Sequence, residues 1–349
     1  MDKRPFISVI VPVYNGDEYL SRCLNALAAS SYKSFEIIVV DDASTDDSAE
    51  ISRKMGATVL KLPHQSGPAA ARNYGTSKAQ GDILFFVDSD VVVQPGTIAR
   101  VVADFQENPD IAAIFGSYDD NPASTDFLSQ LRNLFHYFIH QNSNKQAKTF
   151  WAGCGAIYKE VFCELKGFDE IRYPRASIED IELGLRIWRR GYRIMLDKEL
   201  QVKHLKRWAW GSCLKTDIFY RAVPWSRLIL ESGFLPRDLN QQISHRISAL
   251  LVGLLVIELP FAFWDAVDFL GIMDRIFFTI FLILIFALLI INRELYAFLF
   301  RRRGIKFMLF AIPVHFLYYS YSSLSFAACW FINKFSLLRS GLKRLMPRP

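Results

Sequence analysis

Apolar and polar positions alternate in blocks along the first ninety residues. Apolar runs lie at Phe6–Val13, Phe35–Val40, Ala57–Leu62 and Ile83–Val87, separated by helix-compatible stretches at Asp17–Ala29, Thr45–Met55 and Pro68–Lys78. Strand runs alternating with helices predict an α/β fold, a mainly parallel sheet with helices on both faces. The amino terminus carries no signal-peptide pattern, because Met1-Asp2-Lys3-Arg4-Pro5 leads directly into the first strand.

The pattern changes near residue 246. Eighteen residues separate Arg246 from Asp265 with Glu258 as their one charge; seventeen separate Arg275 from Arg293 with none; twenty-seven separate Lys306 from Lys334 with His315 as their one ionisable side chain among Asp, Glu, Lys, Arg and His. A bilayer crossing needs roughly 20 apolar residues. The reading is therefore a catalytic domain at 1–206, an amphipathic interfacial region at 207–245, a multi-pass membrane region at 246–334 (spans at about 247–264, 276–292 and 307–333) and a basic tail at 335–349. Within the interfacial region, Leu214–Leu230 sets Lys215, Arg221 and Arg227 among Phe219, Tyr220 and Trp225, which suits a helix lying at a bilayer surface or, alternatively, one packed on protein.

Composition agrees with this division: hydrophobic content is 51% and phenylalanine contributes 29 residues, concentrated late in the chain. Basic residues mark the cytoplasmic flank of a span. Arg293, Arg301, Arg302, Arg303 and Lys306 crowd the second connection, whereas Asp265, Asp268 and Asp274 occupy the first. The expectation is an inner-membrane protein with its amino-terminal domain in the cytoplasm. Three spans would place the tail residues Lys334, Arg339, Lys343, Arg344 and Arg348 outside, against the same rule, so the last segment either crosses or is re-entrant or interfacial. The net charge of +6 thus belongs to membrane flanks, and no stripe of Lys and Arg interleaved with aromatics points to nucleic acid.

Cys23, Cys154, Cys163, Cys213 and Cys329 are odd in number and form no Cys-x-x-Cys, so neither a disulfide framework nor a zinc site is indicated. His136 and His140 have helical spacing, but Phe127–His140 is amphipathic and reads as a packed or acceptor-facing helix. Phosphate-binding loops of the Gly-x-Gly-x-x-Gly or Walker kind are missing, which leaves a metal and arginine to hold phosphates.

Candidate chemistry centres on Asp88-Ser89-Asp90, two carboxylates just past the apolar run Ile83–Val87. Ligands of open α/β sheets bind at the carboxyl ends of strands, and alternating Asp residues can hold a hard cation against a diphosphate. Together with Val11-Pro12-Val13-Tyr14-Asn15, Asp41-Asp42-Ala43-Ser44, Gly67-Pro68-Ala69-Ala70-Ala71-Arg72-Asn73 and Glu179-Asp180, this set resembles the family 2 glycosyltransferases in order and spacing over roughly residues 5 to 225. The resemblance implies a GT-A fold (Rossmann-like), a nucleotide-diphosphate sugar donor, Mg or Mn as divalent cation, and inversion at the anomeric carbon.

Each position has a physical role beside that resemblance. Pro12 and Tyr14 close the first strand, where an aromatic face can hold a nucleobase; ordinary strand termination is the alternative. Asp42 can accept hydrogen bonds from base or ribose while Asp41 holds the turn and Ser44 or Thr45 caps the next helix. Arg72 either reaches the diphosphate or base or is a surface arginine. The resemblance assigns Asp88 to the ribose and Asp90 to the metal, and it sets His204 where a late histidine touches metal or diphosphate; packing on Trp208 is the alternative. Asp180 is the candidate general base for the acceptor hydroxyl. The competing reading makes Ser177 the N-cap and Asp180 its capping-box partner. Trp151, in Trp151–Ala156, marks an acceptor-side loop where small residues permit close approach, and Glu179 is placed with it on that side.

His204-Leu205-Lys206-Arg207-Trp208 has the spacing of the Gln-x-x-Arg-Trp signature of processive polysaccharide synthases with His in place of Gln, which assigns Arg207 and Trp208 to the acceptor. Arg221–Trp225 keeps the tryptophan and lacks the arginine before it. The function expected is a membrane-attached inverting glycosyltransferase adding one sugar to a lipid-linked or membrane-proximal acceptor. A processive synthase and a non-catalytic membrane scaffold are the alternatives; a scaffold has no need of Asp42, Asp88, Asp90 and Asp180 together.

Overall fold

A computed structural model describes residues 5–233, 239, 243–262 and 271–345. The chain divides into two compact units, Met1–Ser212 and Cys213–Pro349. The division falls six residues beyond the boundary read at 206.

In the first unit the elements run β1 (Ile7–Val13), α1 (Asp17–Ala28), β2 (Phe35–Asp41), α2 (Ser48–Lys54), β3 (Thr58–Lys61), α3 (Pro68–Lys78), β4 (Ile83–Val87) and β5 (Val91–Val92). They continue with α4 (Thr97–Glu107), β6 (Ile111–Tyr118), α5 (Phe127–Gln141), β7 (Gln146–Ala147), β8 (Cys154–Tyr158), α6 (Lys159–Glu164), α7 (Glu179–Arg189) and β9 (Arg193–His204). The sheet order is β3-β2-β1-β4-β8-β6-β9-β5, with β7 pairing beside β9. The first four strands are parallel; β8 runs antiparallel to β4 and β6, β9 runs parallel to β6, and β5 and β7 run antiparallel to β9. The sheet is thus mixed and mostly parallel.

Both faces of the central strands are covered. Ile83, Phe85 and Val87 join the cluster that contains Leu20, Leu24, Ile98 and Val101, from α1 and α4. Phe86 points the other way, onto the rings of Phe162 and Phe168 at 5.4 and 5.3 Å. The period of two along a strand sends neighbouring side chains to opposite faces, so two covered faces demand a continuous apolar run. α4 shows the helical counterpart: Ile98, Val101, Val102 and Phe105 are buried at the spacing of one helix face.

Pro12 sits inside β1, a central strand, where a missing N–H is ordinarily excluded. The ladder to β4 ends at Ile10↔Phe86, two residues earlier, while pairing to β2 continues to Val13↔Asp41. β1 and β4 separate from Ile10 onward, which opens the sheet at its carboxyl edge.

The second unit begins with the end of α8 (Trp210–Lys215), continues through a π-helical turn at Thr216–Ala222 and α9 (Val223–Ser232), and closes that stretch on Gly233. It is followed by α10 (Ile243–Ala262), α11 (Gly271–Ile291) and α12 (Arg293–Leu345), the last broken at Gly304 with φ 82°. Val252, Leu255, Leu288 and Tyr319 form its apolar core. Hydrogen bonds cross between its helices: Asn292 Nδ2 donates to Ser248 Oγ at 2.9 Å, His245 Nδ1 lies 2.8 Å from the Tyr319 hydroxyl, and Tyr321 donates to Asp217 at 2.7 Å. Among the described residues no single helix is long and apolar enough to cross a membrane. Arg275–Ile291 and Arg293–Phe335, which meet at a bend of 63°, reach that length and apolarity as a pair. The stretch read as a first span, 247–264, falls on α10 with its end outside the described residues; 276–292 falls on α11 apart from Asn292 just past its end, and 307–333 on α12 beyond Gly304.

Candidate active site

Three parallel strands end side by side at the edge where β1 and β4 part. Tyr14 follows β1 and is 44% exposed, Asp41 and Asp42 stand at the end of β2, and Asp88 follows β4. Pro12, by contrast, is buried in β1, so of the pair only Tyr14 offers a face to a ligand.

The two β2 carboxylates are both engaged. Asp41 Oδ1 accepts from Ser44 N at 2.8 Å, the turn role read from sequence. Asp42, 3% exposed, accepts from Ser66 N at 2.7 Å and Gly67 N at 2.8 Å, one oxygen each. It thereby fixes the loop that starts α3. Gly67 has φ 88°, and a Cβ there would come within 2.6 Å of the Pro174 carbonyl oxygen, so this turn requires glycine twice over.

Arg72, on α3, is 4% exposed and therefore no surface arginine. Its Nη2 donates to Asp88 Oδ1 at 2.7 Å and its Nη1 to Glu179 Oε1 at 3.0 Å. Charge-assisted bonds to two carboxylates keep a buried guanidinium ionised. Glu179 is 4% exposed, and its second oxygen accepts from Ser177 N at 2.8 Å. The residue read as an acceptor-side group is turned inward to Arg72.

Asp180 joins the start of α7 to a distant loop. Its Oδ2 accepts from Ala152 N at 3.1 Å, across to the loop before β8, and its Oδ1 from Ile181 N at 2.8 Å. The bond back to Ser177 comes from Glu179, so the capping-box alternative for Asp180 is not what forms. Burial pushes the Asp180 carboxyl up to about 7; the Glu179 charge adds to this and Arg72 opposes it. A carboxyl raised to near neutrality suits proton abstraction.

Asp90 and His204 make a second pair, with Nε2 3.7 Å from Oδ2 and side-chain exposures of 7% for His204 and 19% for Asp90. Burial alone would raise Asp90, but the neighbouring His204 imidazole and, further off, Lys206 hold it below the ordinary carboxylate value. The geometry arises because β5 lies antiparallel on the end of β9, with Val91 opposite His204, and Leu205 N donates to Asp90 O at 2.8 Å. His204 stacks on Tyr118 at 4.2 Å rather than on Trp208. Tyr118 meets Trp151 edge-on at 4.9 Å. Contacts therefore run from Asp90 through His204, Tyr118 and Trp151 to Ala152, which donates to Asp180.

Tyr118 and the partners of Arg72 escaped the sequence reading. Tyr118 ends β6 at the sheet's carboxyl edge, a position readable only once β6 is recognised as a strand. The small residues after Trp151 do permit close approach, though of its own ring: a Cβ on Gly153 would meet Trp151 at 2.5 Å. His140, buried, places Nδ1 3.0 Å from Gly116 O, and His136 packs between it and Trp151 at 3.9 and 4.6 Å. Trp208 N donates to Ser129 Oγ at 2.8 Å, and the Trp208 ring lies between Arg132 at 4.3 Å and Lys206 at 4.5 Å. Arg207 is largely exposed, 3.9 Å from Asp126, the N-cap of α5. The Leu205–Trp208 segment thus docks on the start of α5 beside His204.

Carboxylates at strand ends, a raised carboxyl at a helix start and an aromatic wall gather at one edge of a GT-A type sheet. Residues 8–165 match the family described as glycosyl transferase family 2. Over 240 residues, 64% of the chain, the sequence is 38% identical to the glycosyltransferase GlyG of Streptococcus pneumoniae, covering 77% of that protein. The chain belongs to glycosyl transferase family 2. It is also 37% identical over 108 residues, 29% of the chain, to the poly(ribitol-phosphate) β-N-acetylglucosaminyltransferase TarS of Staphylococcus aureus, covering 19% of that protein. Two solved structures share the fold. The mannosyltransferase PcManGT of Pyrobaculum calidifontis, in complex with GDP-Man and Mn2+, matches with a TM-score of 0.51 at 19% identity over 96% of this chain and 88% of that one. S. aureus TarS 1–349 in complex with UDP-GlcNAc matches with 0.50 at 19% over 93% and 92%.

Proposed function

We propose that this glycosyltransferase moves a sugar from a nucleotide-diphosphate donor to a hydroxyl of a lipid-linked or membrane-proximal acceptor, with inversion and one transfer per encounter. The observation that carries the reading is Asp180: half-buried, raised to about 7, and holding one oxygen on the Ala152 amide of the loop before β8 and the other on Ile181 N in its own helix's first turn. In an in-line displacement the base stands across the anomeric carbon from the leaving group and takes the acceptor proton as the new bond forms. The nucleotide would lie along the ends of β1, β2 and β4, with the base against Tyr14 and the ribose near Asp88.

A divalent cation fits the Asp90–His204 pair. Among the described residues no three His, Cys, Asp or Glu stand together as a metal cage. One carboxylate and one imidazole nevertheless suit an ion whose remaining ligands are diphosphate oxygens and water, the usual arrangement for small hard cations at phosphates. Bound there, Mg or Mn would neutralise charge developing on the departing diphosphate. The His204–Asp90 contact also favours single transfer, since the side chain standing in place of the signature Gln turns to Asp90.

Membrane attachment through 246–334, with the catalytic unit on the cytoplasmic face of the inner membrane, is supported by the apolar runs and the basic flank Arg301–Arg303. Purified full-length protein incubated with a panel of radiolabelled nucleotide sugars and a membrane lipid extract tests the reading. Label from one donor should pass to lipid-extractable material. Label confined to free sugar with every donor, or to long polymer, contradicts it.

A further inference from the structure

The Arg72 guanidinium spans two elements that separate donor chemistry from acceptor chemistry. One arm holds Asp88 at the end of β4, and the other holds Glu179, the first residue of α7. The pairs are 16 and 107 residues apart in sequence, and Arg72 and Glu179 are both 4% exposed. A guanidinium so enclosed has little surface left for a diphosphate. A glutamate whose oxygens bond Arg72 and Ser177 N has little left for an acceptor sugar. Arg72 also lies 5.5 Å from the Phe168 ring, which α6 and its following loop bring to the back of the site.

We propose that Arg72 and Glu179 are positioning residues for Asp180, a buried charge clasp that sets the start of α7 against the end of β4, and not ligands of donor or acceptor. The proposal rests on the reading of Asp180 as the base. Asp180 follows Glu179 directly, so the clasp fixes its backbone, while the Ala152 amide fixes its carboxylate. The charges acting on Asp180 come from two elements: Glu179 on its own helix and Arg72 on α3, which also holds Asp88 just past β4. Glu179 disfavours the ionised form and Arg72 favours it, so the two clasp residues act on Asp180 with opposite signs.

That opposition gives a test independent of turnover. A water-soluble carbodiimide reacts with protonated carboxyls, and labelling of the Asp180 peptide, followed by mass spectrometry across a pH series on the full-length protein, reads the Asp180 midpoint directly. Glu179→Gln should move the midpoint down by about one pH unit, and adding Arg72→Met to that variant should move it back up by a similar amount. Arg72→Lys, which keeps the charge, should leave the wild-type midpoint nearly in place and serves where loss of the guanidinium disturbs folding. Midpoints that coincide in wild type, Glu179→Gln and the double variant would overturn the proposal. So would an Arg72→Lys variant with a normal midpoint but Mn-dependent UDP or GDP binding weakened a hundredfold, because that assigns Arg72 to the donor. Labelling reports the clasp whether or not Asp180 is the base; the base assignment fails separately, on transfer by Asp180→Asn.

Discussion

His204 Nε2 lies 3.7 Å from Asp90 Oδ2, and the same imidazole stacks on Tyr118 with ring centroids 4.2 Å apart. One side chain therefore joins the carboxylate proposed for the metal to the aromatic wall proposed for the acceptor. Asp90→Ala and His204→Ala should each weaken Mn-dependent UDP or GDP binding in calorimetry and leave the melting temperature close to wild type. Asp90→Ala should abolish turnover as well. Equal Mn-dependent binding in both variants and wild type would remove the cation from this pair.

The raised Asp180 carboxyl sets a pH dependence. A base works ionised, so kcat/KM should climb with pH along an acid limb with its midpoint near 7, where burial and Glu179 put the group. A rate profile flat from about pH 5 to about pH 8 would show that no such carboxyl limits the reaction.

Stability carries a pH signature elsewhere in the first unit. Asp104 on α4 is pushed up to about 7 by burial and by the Asp197 charge beside it, while Arg100 pairs with Asp197. A carboxyl whose folded pKa lies above its unfolded value contributes stability at low pH and loses it as pH rises through the folded value. The melting temperature of Asp104→Asn relative to wild type should accordingly improve as pH rises from about 5 to about 8. A difference that stays constant over that range would contradict the assignment.

The parallel half of the sheet was legible because each of its strands is a predominantly apolar run between helix-compatible stretches. The expected strands at 35–40 and 83–87 differ from β2 and β4 by one residue at most. The strand-end carboxylates were legible for the same reason: once β4 is placed, Asp88 must follow it. Arg72 was misleading, because an arginine in an alanine-rich helix looks exposed until two carboxylates, one of them 107 residues distant, are seen to enclose it. Glu179 and Asp180 are adjacent in sequence and opposite in task, one facing Arg72 and the other Ala152. No local pattern separates them, since the direction of each side chain is set by the start of α7 and the tertiary partners around it. Asp42 carried the same ambiguity, its partners Ser66 and Gly67 lying in a loop whose path the sequence does not prescribe.

Topology is tested by single cysteines at Arg302 and Lys343, and at Asp268, which lies outside the described residues, on a background lacking reactive native thiols. An impermeant thiol reagent added to intact cells should label position 268 and spare position 302. Labelling at 343 would mean that 307–333 crosses the membrane, and protection there that it does not. Protection at 268 with labelling at 302 would place the catalytic unit outside the cytoplasm.

The most direct test of the account is sugar transfer by Asp180→Asn. Asparagine keeps the size of the side chain and an oxygen for the Ala152 amide but cannot take the acceptor proton. With the donor identified by the radiolabel panel, kcat should fall by about 10²-fold or more while Mn-dependent nucleotide binding stays near wild type. Transfer within a few-fold of wild type, at unchanged nucleotide affinity, would show that Asp180 is not the base.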